Sequence, residues 1–152
     1  MRTVHITGPR PDFRVIVGLL YGDMRNVDTE GNSVPVYSRR WTSLYIKDRE
    51  SDDPCVEIEA CDDEAFFEIT SADQRLEDLA ALYLFRFCGD RIEIDGRAID
   101  AHQIAALAAL HSVELARAEK SIWHRSSENV PYPNLIVEQG APAKSLRLGG
   151  LP

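Results

Sequence analysis

Residues 41–70 read WTSLYIKDRESDDPCVEIEACDDEAFFEIT, and three alternations of polar and apolar residues lie inside that stretch. Val56, Ile58 and Ala60 alternate with Glu57 and Glu59, the pattern of a strand with one dry and one wet face. Before it, Thr42, Leu44 and Ile46 alternate with Trp41, Ser43, Tyr45 and Lys47; after it, Ala65 to Thr70 alternates likewise. Acidic turns at 49–53 and 62–64 join the three, so an antiparallel meander is the simplest topology.

Downstream, Ser71 with Gln74 three residues on has the form of a capping box. Leu76, Leu79, Ala80, Tyr83 and Phe87 then make an apolar helical stripe up to Gly89, the expected stop. Arg91–Ile94, Asp95-Gly96 and Arg97–Ile99 read as a hairpin with a primed turn. Asp100 with Gln103 opens a second helix, whose stripe of Ile104, Leu107, Ala108, His111, Leu115, Ala118 and Ile122 predicts one long, alanine-rich element against the sheet or the first helix. Val130-Pro131-Tyr132-Pro133 must be extended, and Leu135 to Val137 suits a last short strand.

Upstream the signals are poorer. Residues 2–7 alternate weakly and Gly8-Pro9-Arg10-Pro11 breaks the chain. Residues 12–21 fit a helix or a buried strand equally, and residues 22–37 read as a long loop. The expectation is a single α+β domain over residues 1–139, an antiparallel meander packed against two main helices, followed by a flexible tail at 140–152 that lacks periodicity.

At 152 residues the chain can bury a core of its own, and with 44% hydrophobic and 28% charged residues it is neither a disordered nor a fibrous sequence. No apolar run approaches the roughly 20 residues of a membrane span, and the first residues lack the apolar stretch of a signal peptide. A cytoplasmic protein is expected. Cys55, Cys61 and Cys88, odd in number and without CxxC spacing, are expected to be reduced thiols rather than a disulfide framework or a zinc site.

Charge is informative once divided by position. Residues 47–68 hold ten acids against Lys47 and Arg49, a net of −8, which equals the net charge of the whole chain. One segment therefore carries the entire imbalance. Such a concentration repels nucleic acid and anionic membranes and speeds the capture of a basic partner.

Candidate chemistry is sparse. His102 and His111 stand nine residues apart, half a turn out of phase, and do not make a metal pair on one helix face. Cys55 and Cys61 sit among acids, which disfavour a thiolate nucleophile. Glu57 and Glu59 lie about 7 Å apart on one strand face, from the rise per residue, where a solvated surface explains them better than acid–base catalysis. No GxGxxG, GxxxxGK[ST], GxSxG or HExxH is present. No catalytic residue, cofactor or metal is expected.

What remains is a surface for binding. If Leu44, Ile46, Val56, Ile58, Phe67 and Ile69 face the helices, the opposite face displays Trp41, Tyr45, Glu57, Glu59, Phe66 and Glu68, with Asp62, Asp63 and Glu64 at its end. Aromatic anchors among carboxylates suit a specific interface with a basic protein. Trp41-Thr-Ser-Leu-Tyr-Ile, Val56-Glu-Ile-Glu, Ala65-Phe-Phe-Glu-Ile-Thr-Ser and Leu76 to Gly89 together resemble, over about a third of the chain, the small acidic immunity proteins of bacterial contact-dependent and polymorphic toxin systems. The resemblance implies stoichiometric neutralisation, inside the producing cell, of a cognate toxin domain, often a basic nuclease. Two other readings stand beside it: an enzyme or ligand-binding domain with a pocket around His111, Tyr83 and Cys88, and a subunit that binds its own copy through the sheet face.

Overall fold

The computed structural model describes residues 1–133, so the strand expected at 135–137 and the tail from 140 lie outside the described residues. The meander is present: β2 (Val27–Gly31), β3 (Ser43–Asp48), β4 (Val56–Cys61) and β5 (Phe66–Ser71) follow one another as antiparallel neighbours. It is then extended. The amino-terminal strand β1 (Arg2–Ile6) inserts between β5 and β6 (Gly89–Ile94), and the short β7 (Arg97–Ala98) closes a seven-stranded, wholly antiparallel sheet of order β2-β3-β4-β5-β1-β6-β7.

Burial follows the alternation. Val4, Ile46, Val56, Ile58, Phe67 and Ile69 are all 0% exposed on one face, and α2 (Gln74–Cys88) lies across β5, β1 and β6 on that side. Buried Arg2, on the same face, ties β1 to α2 through Glu77 (3.2 Å) and Asp78 (2.7 Å). The Glu77 carboxylate also accepts from the Ser71 amide at 3.1 Å. The helix cap is Asp73, whose side chain accepts from the Arg75 amide, whereas Ser71 ends β5 and accepts from the Asp73 amide. The cap is thus displaced by two residues from the expected Ser71, and the expected Ser71–Gln74 capping box does not form.

Gly89 does not stop α2 through a left-handed turn; its φ of −122° is extended and feeds β6 directly. A side chain there would meet Val4 Cγ1 at 2.7 Å and the His5 carbonyl at 2.9 Å, so the close approach of β6 to β1 demands glycine. The hairpin expected at Asp95-Gly96 has positive φ at both residues, 51° and 84°, as a primed turn requires.

Residues Phe13–Tyr21 form helix α1, capped by Asp12 and burying Val15, Ile16, Leu19 and Leu20. Neighbours one and four apart on one side suit a helix packed on α2, not a strand. The 22–37 loop contains β2, an edge strand whose Asp28, Thr29 and Glu30 carry no apolar alternation to betray it.

The long second helix is broken. α3 (Ala101–Leu110) keeps the expected Asp100–Gln103 capping box but has no fully buried residue, and α4 (Ser112–Glu119) packs across α1 and α2. His111, with φ −116° and ψ 22°, ends α3 half-buried rather than lying in the core, and after this break α4 reaches α1 as well as α2, whereas α3 packs on α2. A 3-10 turn at Ile122–Arg125 follows, and Ser126 hydrogen-bonds Asp12 at 2.8 Å, joining the end of the helical layer to the start of α1.

Candidate functional site

Besides the edge pair Asp28 and Lys47 on β2 and β3, the register sets the residues of the second sheet face in three rows. One row runs Glu30, Tyr45, Glu57 and Thr70 across β2 to β5. The next runs Ser43, Glu59, Glu68, Thr3, Glu93 and Ala98 across β3 to β7. A third carries Cys61, Phe66, His5 and Arg91. Strands stand about 4.8 Å apart, so neighbours in a row touch. The helices reach the sheet from the Val4 and Ile69 side, and among the described residues no element packs over the rows just named.

Electrostatics give this face its character. Glu59 stands directly opposite Glu68, a like-charge pairing that destabilises a sheet. Glu57 and Glu59 are exposed and Glu68 is half-buried; Glu59 accepts a hydrogen bond from Ser43 Oγ at 2.7 Å. Toward β6 the charge is compensated: the Glu93 carboxylate lies 2.7 Å from His5 Nε2 and 2.8 Å from Arg91, and the His5 contact holds Glu93 below the ordinary carboxylate range. The uncompensated part is the half built by β3, β4 and β5. Tyr45 and Phe66 sit half-buried there, and Phe66 packs against the His5 ring at 5.5 Å.

Trp41 is not on this face. It lies two residues before β3, outside the ladder, and turns in to stack on Phe67 at 5.1 Å with its indole N–H on the Pro11 carbonyl at 2.9 Å, leaving it 1% exposed. Alternation has force only where the strand is paired, and here it fails. Asp62 and Asp63 remain exposed in the β4–β5 turn, where Asp62, Asp63 and Glu64 all have positive φ (48°, 55° and 68°). Glu64 is drawn to Arg10 as an ion pair and is no free charge. Thr3, His5, Glu93 and Glu30 join the face unannounced, since the sequence does not say that β1 sits beside β5 or that β2 exists.

No family model, curated protein or solved structure matches this chain.

Chemistry elsewhere is muted. Tyr83 and Cys88 are buried, and burial pushes both the phenol and the thiol upward, the thiol to about 11. The Tyr83 hydroxyl lies 2.8 Å from His124 Nδ1, a pair that closes the core, with burial lowering the imidazole. A groove of 980 Å³ does open between α1 and α4, walled by Val15, Leu19, Ala118 and Trp123, but His111, Tyr83 and Cys88 do not line it. All three cysteines are free thiols; burial, then the Glu68 carboxylate, raises that of Cys61. No group of three or more His, Cys, Asp or Glu side chains able to hold a metal ion occurs among the described residues, and no described helix is long and apolar enough to cross a membrane.

Proposed function

We propose that the chain is a non-catalytic binding protein acting in the cytoplasm, in the manner of an immunity protein. It neutralises a basic toxin domain by one-to-one docking on the open face of its sheet. The observation that carries the proposal is the β3–β5 half of that face, where Glu57, Glu59 and Glu68 surround Tyr45 and Phe66 with no described element over them. Opposed carboxylates are a liability to the free fold and an asset beside lysines and arginines of a partner. Asp62 and Asp63 extend the negative field beyond the sheet end and favour rapid encounter. The same field disfavours nucleic acid and anionic membrane as partners.

Roles divide by position. Exposed carboxylates steer the approach, whereas the half-buried rings of Tyr45 and Phe66 hold the docked state. Co-expression with the product of the neighbouring reading frame, followed by size exclusion, tests the reading. A one-to-one complex is expected, weakened by salt and lost on joint Glu57→Lys, Glu59→Lys and Glu68→Lys substitution with the circular dichroism unchanged. A complex indifferent to those three reversals at low salt places the interface elsewhere and rejects the proposal.

A further inference from the structure

A second charged feature lies at the end of the sheet, where the 8–11 turn, residues 39–40 and the β4–β5 turn meet. They bound a cavity of 420 Å³ lined by three guanidinium groups, Arg10, Arg39 and Arg40, and two carboxylates, Glu64 and Glu128. The Arg10 amide donates to the Arg39 carbonyl at 3.0 Å, which clamps the two arginine-bearing segments together. Aromatic rings of the core hold the guanidinium groups from behind, Phe67 at 5.3 Å from Arg10 Cζ and Phe87 at 5.1 Å from Arg39 Cζ.

The positive charge is incompletely answered. Arg10 pairs with Glu64, but among the described residues no carboxylate pairs with Arg39 or Arg40. The Nε atoms of Arg10 and Arg39 are buried and have no hydrogen-bond acceptor among the described residues. One oxyanion, with several lone pairs on a compact centre, can answer more than one of the arginines that line the cavity, which a single tethered carboxylate does less well. The one group already engaged is of that chemistry: Glu64 is 52% exposed, sits on a turn of three left-handed residues and reaches Arg10 from the cavity rim.

We propose that this cavity is a binding site for a small oxyanion of phosphate or carboxylate type, held by Arg10, Arg39 and Arg40, with Glu64 as the displaceable internal competitor. The site is independent of the docking face. Isothermal titration with inorganic phosphate, and separately with acetate, at fixed ionic strength tests it. Saturable binding near one equivalent is expected; Glu64→Gln should tighten it about two- to fivefold, the range of an exposed ion pair. Arg40→Ala, at an exposed position, should weaken it without altering the melting temperature measured in chloride. Tighter binding of phosphate than acetate assigns a phosphate-type ligand, and the reverse a carboxylate. Absence of saturable binding in both wild type and Glu64→Gln overturns the proposal, as does binding unchanged by joint Arg39→Leu and Arg40→Ala substitution.

Discussion

The two faces of the sheet are built from alternate residues of the same strands, yet they obey different rules. On the covered face Val56, Ile58, Phe67 and Ile69 interlock at 0% exposure, and each choice serves the fold. On the open face Glu59 is set against Glu68 and aromatic rings are left half in water, choices that the fold does not require. The difference separates residues that serve stability from residues to which the proposed function gives the role of encounter, and it can be broken by experiment.

The largest effect belongs to the covered side. Phe67→Ala and Trp41→Ala should each lower unfolding free energy by about 3–5 kcal/mol, while Tyr45→Ala on the open face should lie within about 0.5 kcal/mol of wild type. Urea denaturation measures both, and a Tyr45 loss equal to that of Trp41 would erase the distinction. Gly89→Ala should follow at about 1–3 kcal/mol, because the added carbon meets the His5 carbonyl at 2.9 Å and backbone must move.

Acid exposes a charge that does serve the fold. Hydrogen bonds from Arg25, at 2.7 and 3.2 Å, hold buried Asp48 at about 2, below its ordinary 3.8, with help from the Glu50 amide and Ser51. A carboxylate depressed in the folded state stabilises fully above its unfolded value and loses that contribution as pH falls through the folded one. Stability should therefore decline between about pH 4 and pH 2, and Asp48→Asn should lower neutral-pH stability while flattening that decline, as read by melting temperature across pH. On the open face the sign reverses. Glu59→Gln or Glu68→Gln should raise stability by about 0.2–1 kcal/mol at low salt, with the gain vanishing as salt screens the pair. A loss instead would mean that the acidic pair is structural.

Much of this division was legible in residues 41–70, because period-two alternation reports which side of a paired strand is dry. The same reading placed Trp41 wrongly, since nothing local marks Ser43 as the first paired residue. β1 was visible only as weak alternation; its seat between β5 and β6 depends on pairings more than 60 residues distant in sequence. β2 was hidden because both its faces are polar or exposed, and the break at His111 because the apolar stripe runs through it, although only the second half packs on α1 as well as α2. Arg10 lies in a segment that reads as a break, and Arg39 and Arg40 lie between the 22–37 loop and the alternation that begins at Trp41; only the folded chain brings them round one cavity.

The central claim is that the open face captures a basic partner. Stopped-flow association with the cognate domain across ionic strength, for wild type and the joint Glu57→Lys, Glu59→Lys and Glu68→Lys variant, tests it most directly. The account predicts a rate constant at least about tenfold lower for the variant at low salt and a visibly flatter salt dependence. Equal rates and equal slopes would contradict it.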